Sequence, residues 1–384
     1  MSSTLSLKSK LPNLKTTIFS IVGNLAKKHN ATNLAQGFPD FKPDSKLLDM
    51  VTHAMKDGYN QYAPMPGLLA LRETIAIAAE KLYGRYYNPE TEITITTGAT
   101  QAIYTAITAF VAKDDEVIVL KPAYDCYEPA IELAGGVPVL IQMKGAAYKI
   151  DWQEFKNAIT SKTKMVIINT PHNPSGQVLS KKDMLALEAC LANTNIVLLS
   201  DEVYEHIIFD GTQHQSASRF KDLASRSIIC SSFGKTFHIT GWKMGYCVAP
   251  EVLMKEFRKV HQFNVFSVNH PAQLGINNYL KDESTYLNLA NFYQEKRDYF
   301  LNAISGSRFK FTATKGTFFQ LLNYSDITDE NDVLLNERLI KDYKLASIPM
   351  SVFNIGEKDD KMLRFCFAKT KETIDKAAEI LNSI

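Results

Sequence analysis

Apolar positions follow two different periods along the chain. The runs "EVIVL", "MVIIN" and "IVLLSD" are short and continuously apolar, which suits parallel strands covered by helices on both faces. Segment 67–84, "GLLALRETIAIAAEKLYG", repeats leucine and isoleucine on one helical face and ends in a glycine suited to a C-cap. The alternation predicts an α/β fold from about Asp44 to Gln273.

The pattern changes after residue 273. Helical segments and polar loops lead to two strand candidates, "TFFQLLNY" and "MLRFCFA". We expect a large α/β domain at 44–273 and a small α+β domain formed by 1–43 and 274–384, with a ligand cleft between them.

Length and charge indicate how many domains to expect and which partners are not expected. The 384 residues suggest two or three domains at roughly 150 residues each. Net charge is +2, from 43 basic and 41 acidic residues, and no basic stripe stands out, so a nucleic-acid partner is not expected. The stretch "MSSTLSLKSKLPNLKTT" lacks the apolar region of a signal peptide, and no run approaches the ~18 apolar residues of a membrane span. A cytoplasmic protein without a membrane partner is expected.

The five cysteines are an odd number and form no C-x-x-C pair. Most lie among apolar residues, which predicts buried free thiols rather than a metal or redox site.

Polar residues follow several predicted strands at the edge where open α/β sheets bind ligands. In "ITITTGATQAIYTAITAFV" the chain turns at Gly98 from strand to helix, and the amides of Ala99 and Thr100 begin that helix. Free amides at a helix start form an anion site. The alternative is a simple strand-to-helix turn.

Two further loops carry candidate side chains. In "NTPHNPSG" the rigid loop fixes the Asn173 amide, although a plain turn explains the loop equally well. In "SDEVYEH" Asp201 directly follows "IVLL", and Tyr204 is close enough to share a pocket with it. A carboxylate there favours a cationic partner, whereas the alternative makes Asp201 a helix N-cap.

The segment "SSFGKTFHITGWKMGY" places Lys235 and Lys243 just after the apolar run "SIIC". A partly desolvated lysine has a lowered pKa and becomes a nucleophile that can form Schiff bases. Ser232 and Lys243 are near enough in sequence to share an anion. The alternative is a surface loop with two solvated lysines, but aromatic neighbours argue against free exposure.

In this order, the segments resemble the fold-type-I pyridoxal-phosphate enzymes, and within them the class I/II aminotransferases. "SSFGKTFHITGWKMGY", "NPSG" and "SDEVY" resemble the family's signatures, and "NLAQGFPDF", "NQYAPMPGLLALR" and "RFCFAK" extend the resemblance over the whole chain. The chain is most similar to the bacterial methionine aminotransferase group, near the glutamine transaminase K and kynurenine aminotransferase branch.

The resemblance implies pyridoxal 5'-phosphate as cofactor, bound as an internal aldimine on Lys235, which then carries the substrate Cα proton in a ping-pong reaction. It implies that Asp201 keeps the pyridine nitrogen protonated. It also implies that Tyr204 and Asn173 bind the ring's 3'-oxygen, and that Asn173 contacts the substrate carboxylate. Tyr124 would stack on the ring. The phosphate would take Ala99, Thr100, Ser232 and Lys243, with Tyr62 from the neighbouring subunit of a homodimer.

The resemblance also implies a substrate site. Arg364 would clamp the α-carboxylate, with the Gly37 backbone completing that contact and Phe38 beside it; the alternative for Arg364 is a structural ion pair. The candidates for the substrate side-chain pocket are apolar or aromatic, and one of them, His270, would come from the second subunit. They are Ile18, Phe19, Phe38, Tyr124, Phe353 and His270. These favour methionine, phenylalanine, tyrosine or leucine as donors over aspartate, with 2-oxo acids as acceptors.

Two alternatives to this function remain open, and a third is disfavoured. A carbon–sulfur β-lyase of cysteine-conjugate or cystathionine type shares the fold and these residues. An aminotransferase that prefers kynurenine or glutamine fits them as well. A cofactor-binding regulator is disfavoured, because no added DNA-binding segment fits before Asn33.

Overall fold

The computed structural model describes residues 7–384, which form alternating helices and strands along most of the chain. The helices are α1 (Ile18–Lys28), α2 (Ser45–Lys56), α3 (Leu69–Tyr83), α4 (Gly98–Phe110), α5 (Tyr127–Leu133), α6 (Trp152–Asn157), α7 (Lys181–Leu191), α8 (Lys221–Ala224), α9 (Phe233–Thr236), α10 (Glu251–Asn264), α11 (His270–Leu280), α12 (Ser284–Leu287), α13 (Leu289–Ala303), α14 (Asp332–Lys341) and α15 (Lys371–Ser383). The strands are β1 (Thr32–Asn33), β2 (Ile93–Thr96), β3 (Glu116–Lys121), β4 (Val137–Gln142), β5 (Thr163–Asn169), β6 (Val197–Asp201), β7 (Ser227–Ser232), β8 (Gly245–Val248), β9 (Phe319–Asn323), β10 (Leu345–Ala346), β11 (Ile348–Pro349) and β12 (Met362–Cys366).

A seven-stranded sheet forms the centre of the α/β region, in the order β2-β8-β7-β6-β5-β3-β4. β8 runs antiparallel to both of its neighbours, and the other strands run in one direction. The carboxyl ends of β2, β5, β6 and β7 therefore meet at one edge, together with the start of β8. The predicted α/β pattern is confirmed.

The strands are continuously apolar because helices cover both faces of the sheet. In β3, Val117 and Val119 face one core cluster while Ile118 and Leu120 face the other. This is the two-residue alternation of a strand with no solvent face. Each fully buried side chain of this size contributes about 1.5–3 kcal/mol, so both faces stabilise the sheet that presents the polar edge.

The predicted helix in segment 67–84 is confirmed as α3, which ends at Gly84 in the left-handed conformation. Its face is less deeply buried than the pattern suggests, since Leu71 and Ile75 are buried but Leu68 and Leu82 are half-buried.

The C-terminal strand candidates form a separate antiparallel sheet in the order β11-β12-β9. The N-terminal β1 pairs in parallel with β10, and the Cys366 amide donates to the Leu34 carbonyl at 2.7 Å. The segment around residues 32–34 thus packs with the C-terminal portion. The domain boundaries at 43 and 273 stay a prediction, and residues 1–6 of the predicted small domain and N-terminal stretch lie outside the described residues.

No helix within residues 7–384 combines the length and the apolar character that crossing a membrane requires. All five cysteines are free; Cys230, Cys247 and Cys366 are buried, and Cys126 and Cys190 are half-buried.

Candidate active site

An open pocket lies at the carboxyl edge of the seven-stranded sheet, and its empty space, which includes the open mouth, is about 670 Å³. The structure brings nine of the sequence-predicted residues into its wall: Ala99, Thr100, Tyr124, Asn173, Asp201, Tyr204, Ser232, Lys235 and Lys243. They come from five separate segments, which meet because the strands are parallel and end at one edge.

Lys235 lies on α9, the single helical turn that follows β7. Its Nζ donates to the Gly37 carbonyl at 3.1 Å and lies 5.6 Å from the ring centre of Tyr204 and 5.4 Å from that of Phe318. Burial lowers the pKa of this amine to about 8. About a tenth of the amine is therefore neutral at pH 7, which makes it a competent nucleophile and base.

Asp201 is the last residue of β6 and is 3% exposed. Its carboxylate accepts hydrogen bonds from the Tyr127 hydroxyl at 2.5 Å and from the Val203 amide at 3.3 Å, but it has no ion-pair partner within the described chain. Burial raises its pKa to about 6. A buried carboxylate of this kind is stabilised by a cation, so the site suits a positively charged ligand atom.

The alternative of a helix N-cap at Asp201 is wrong, because the chain after β6 forms a turn at 203–206 and no helix.

Asn169 and Tyr127 support Asp201, and sequence reasoning missed both. Asn169 pairs with Asp201 across β5 and β6, donates to the Asp201 carbonyl at 2.9 Å and accepts from the Asn173 amide at 2.7 Å. Signals for them exist in the sequence, since Asn169 is the polar end of an apolar run and Tyr127 follows Tyr124 by three residues in "PAYDCY".

The other end of the pocket is positively charged. α4 begins at Gly98, whose φ of +72° allows the turn out of β2, so the first amides of the helix lack intrahelical partners. Lys243 also reaches this turn, since its Nζ lies 3.5 Å from where a Cβ on Gly98 would be. Ser232 lines the same pocket. Amides, a hydroxyl and an ammonium group together suit an anion.

Lys243 is exposed, whereas Lys235 is half-buried. The expectation that aromatic neighbours shield both lysines is therefore wrong for Lys243.

Two tyrosines complete the walls. The Tyr124 hydroxyl lies 3.4 Å from Thr100 Oγ1, and Tyr204 is buried with its ring edge-on to Phe318. Burial raises the pKa of both phenols, so both stay protonated near neutral pH and can donate hydrogen bonds.

Arg364 lies in the middle of β12 and is 1% exposed. Its Nη1 donates to Asn173 Oδ1 at 2.6 Å and its Nη2 to the Ala35 carbonyl at 3.3 Å, while Nε is buried without a partner. Its guanidinium carbon lies 3.9 Å from the ring centre of Phe319. Burial lowers the pKa of this guanidinium to about 10, so it remains charged at neutral pH.

No carboxylate within residues 7–384 forms an ion pair with Arg364, so the structural ion-pair alternative is wrong for the described chain. A buried, charged fork with an unpaired nitrogen suits a ligand carboxylate. Phe19 and Phe353 flank it, with ring centres 5.4 and 5.8 Å from the guanidinium carbon.

The comparisons with known proteins agree with this geometry. The sequence profile of the family "Aminotransferase class I and II" matches residues 29–381. The chain belongs to this family. The methionine aminotransferase of Escherichia coli is 46% identical to it over 98% of each chain. The kynurenine–oxoglutarate transaminase 1 of Rattus norvegicus is 32% identical, covering 94% of this chain and 93% of its own.

Solved structures give the same result for the aminotransferase. A structure from Escherichia coli, described with a methionine aminotransferase function, superposes with a TM-score of 0.97 at 46% identity, covering 99% of this chain and all of that one. N-succinyldiaminopimelate aminotransferase from Mycobacterium tuberculosis gives 0.93 at 32% identity, covering 98% and 100%. The fold-type-I expectation is confirmed. Enzymes of this family depend on pyridoxal phosphate and act on amino acids and 2-oxo acids.

Some predicted residues of the aminotransferase lie away from the pocket wall. Phe38 is 44% exposed, and Ile18 is half-buried at the start of α1. Tyr62 is 80% exposed against the edge of Phe266, and His270 packs against Tyr59. Both Tyr62 and His270 are expected to act on a second subunit, so their roles stay predictions.

The aminotransferase pocket also contains residues that sequence reasoning did not select. Besides Asn169, these are Ile103, Val203, Thr240 and Met244. Phe318 and Phe319 pack beside Lys235 and Arg364. The paired phenylalanines of "TFFQLLNY" were visible in the sequence, but nothing there places them at a distant lysine and arginine.

Proposed function

We propose that this aminotransferase moves the amino group of methionine and other apolar or aromatic L-amino acids to a 2-oxo acid, using pyridoxal phosphate held by Lys235. The observation that carries the proposal is the pairing of a half-buried amine, Lys235, with a buried carboxylate, Asp201, in one pocket. The 46% identity to the Escherichia coli methionine aminotransferase supports the choice of donor.

The residues present fit the cofactor at both ends. Asp201 forms no ion pair within the described residues, and a protonated ring nitrogen would supply that partner. The first amides of α4, with Ser232 and Lys243, supply donors and charge for a phosphate. When bound, pyridoxal phosphate supplies the electron sink that stabilises negative charge on the substrate Cα.

Lys235 is proposed to hold the cofactor and, in its neutral form, to accept the proton from the substrate Cα. The pKa lowered to about 8 supports this, because a base is most effective when its pKa lies near the working pH. Tyr204 and Tyr124 keep their protons and line the same pocket as Asp201. They are proposed to donate to the cofactor's ring oxygen and to stack on its ring, respectively.

Arg364 is proposed to bind and orient the substrate α-carboxylate, with the Asn173 amide beside it. The hydrogen bond from Arg364 to Asn173 fixes the guanidinium plane before substrate arrives, which lowers the entropic cost of binding. Phe19 and Phe353 stand next to the guanidinium, so the substrate side chain would meet aromatic surface. That surface favours apolar donors, and such pockets discriminate weakly between them.

A homodimer in the cytoplasm is the proposed working form. Tyr62 is 80% exposed and Phe266 is 46% exposed, and the two rings are in contact, which gives an aromatic surface for a second copy. Cys230 and Cys247 are direct cross-strand neighbours yet remain free thiols, which fits a reducing compartment.

The cofactor assignment is tested by incubating the purified protein with pyridoxal phosphate, reducing it with borohydride and mapping the peptides. We expect one reduced pyridoxyl group on Lys235 and none on the exposed Lys358. A pyridoxyl group found only on other lysines would overturn the assignment.

The reaction is tested with a panel of donors and acceptors. Methionine and aromatic amino acids should be consumed only when a 2-oxo acid is present, and aspartate should react poorly. Kynurenine and glutamine belong in the panel because kynurenine transaminases are among the relatives. Release of pyruvate and ammonia from a cysteine conjugate alone, without use of the 2-oxo acid, would identify a β-lyase instead.

A further inference from the structure

The segment Ala35–Phe38, which we call the strap, presents its successive carbonyl groups to cationic side chains. The Ala35 carbonyl accepts from Arg364 at 3.3 Å, and the Gly37 carbonyl accepts from Lys235 at 3.1 Å. Lys369 Nζ donates to the Phe38 carbonyl at 2.8 Å and lies 3.5 Å from that of Gln36. Three cations thus hold four consecutive residues.

Lys369 differs from the other two cations in its surroundings. It follows β12, is 3% exposed, and has no ion-pair partner within residues 7–384. A buried ammonium group without a carboxylate is rare and depends on its other partners. Those partners are the strap carbonyls and the Phe38 ring, whose centre lies 5.1 Å from Nζ. Lys369 therefore serves the strap and does not face the pocket.

The strap is closely packed where it meets the site. A Cβ added at Gly37 would lie 2.6 Å from Phe319 Cζ, and Phe319 stacks under Arg364. Two residues beyond the strap, the Asp40 carboxylate accepts at 2.6 Å from the amide of Thr370, the residue after Lys369. A change in the strap's position would therefore move Gly37 and Phe38 relative to both cations of the site.

We propose that Lys369 is a positioning residue that holds the strap against the substrate site throughout turnover. The proposal rests on the proposed function, because it takes Lys235 and Arg364 as the residues that bind cofactor and substrate carboxylate. Once those two side chains engage ligands, their hydrogen bonds to the strap are shared or lost. Lys369 binds no ligand, so its bonds persist and keep Gly37 and Phe38 in place.

The test compares Lys369→Met with Lys361→Met in the holoenzyme. Lys361 is the control, since its Nζ also donates to two backbone carbonyls, those of Asp329 and Glu330, both at 2.8 Å, and lies over a tyrosine ring. Unlike Lys369 it is partly exposed and pairs with Asp359 at 3.4 Å. We expect Lys369→Met to raise the KM for methionine about tenfold with kcat changed less than about threefold, since it removes preorganisation rather than chemistry.

Hydrogen exchange of the 34–41 amides supplies a readout that does not depend on activity. We expect exchange to be about tenfold faster in Lys369→Met and unchanged in Lys361→Met. Lys369→Arg keeps the charge and the donors, so its KM and its exchange rate should lie between those of the wild type and those of Lys369→Met. If Lys369→Met does not fold, Lys369→Arg is compared with the wild type in its place.

Wild-type exchange and KM in a folded Lys369→Met protein would overturn the proposal. Failure of the proposed function can be told apart from failure of the Lys369 proposal. In the first case the wild-type protein would lack transamination, while hydrogen exchange would still report whether Lys369 holds the strap.

Discussion

At the scale of single residues, the site is defined by charged groups that form no ion pair within residues 7–384. Asp201 and Arg364 are buried, and Lys235 is half-buried. Burial shifts the pKa of each towards its neutral form, to about 6, about 10 and about 8 respectively. Such groups lower the stability of the empty protein, and a ligand that carries the missing charges would compensate for that loss.

The lowered pKa of Lys235 predicts its reactivity in the cofactor-free protein. Its folded pKa of about 8 lies below the ordinary 10.5, so the neutral, reactive amine accumulates as pH rises through 8 instead of through 10.5. Competitive acetylation followed by peptide mapping should show labelling of Lys235 that reaches its plateau near pH 9. The exposed Lys358 is the control and should continue to gain reactivity above pH 9. A Lys235 profile that coincides with that of Lys358 would contradict the role of burial.

Arg364→Lys should weaken substrate binding more than it slows the reaction. Lysine cannot reproduce the two-pronged contact, and the loss of one charge-assisted hydrogen bond removes about 1.5–3 kcal/mol. Steady-state kinetics should give a KM for methionine raised about 10- to 150-fold, with a much smaller change in kcat.

Arg338→Lys is the control for that substitution, because Arg338 pairs with Glu330 away from the pocket. An unchanged KM in Arg364→Lys, or an equal rise in both variants, would refute the carboxylate role.

At the scale of elements, the anion end of the pocket depends on how α4 starts. The helix begins at a glycine with φ of +72°, directly after β2, and this brings its first amides to the sheet edge beside Lys243. Residues with a Cβ adopt this conformation at a cost of about 1–2 kcal/mol. The start of α4 therefore needs a residue that adopts a left-handed backbone, and it also needs that residue to place the first helix amides at the anion end of the pocket.

Gly98→Ala and Gly84→Ala separate these two requirements. Both glycines have a left-handed backbone, with φ of +72° and +74°, but a Cβ meets Lys243 at Gly98 and open space at Gly84. Thermal unfolding should show a similar loss of about 1–2 kcal/mol in both variants. Only Gly98→Ala should also raise the Kd for pyridoxal phosphate, measured by absorbance titration. Equal cofactor affinity in the two variants would remove α4 from the phosphate site.

At the scale of the whole molecule, the arrangement of the chain decides which residues meet. Arg364 and the strap belong to segments that are far apart in sequence, yet they close over a pocket in the central sheet through Asn173 and Lys235. Tyr62 is exposed and His270 is half-buried, and a second copy is proposed to bind at these residues.

The proposed homodimer predicts a cofactor phenotype for an exposed residue. Light scattering after gel filtration should give twice the mass of one chain. Tyr62→Phe should raise the Kd for pyridoxal phosphate about tenfold, because one hydrogen bond to a charged group is lost across the interface. Tyr86→Phe, also an exposed tyrosine at 52%, should leave the Kd unchanged. A monomer, or identical Kd values, would argue against the shared site.

The sequence by itself determined the parallel strands, the turn at Gly98 and the positions of Asp201 and Lys235, because those features depend on local periodicity and on which residue follows a strand. Much of the pocket wall followed from this, since parallel strands end at one edge. Tertiary structure alone decided that Arg364 has no acidic partner within the described chain, that Tyr127 donates to Asp201, and that Lys369 holds the strap. These are contacts between distant segments, and no local pattern encodes the distance between two side chains that only the packed chain brings together.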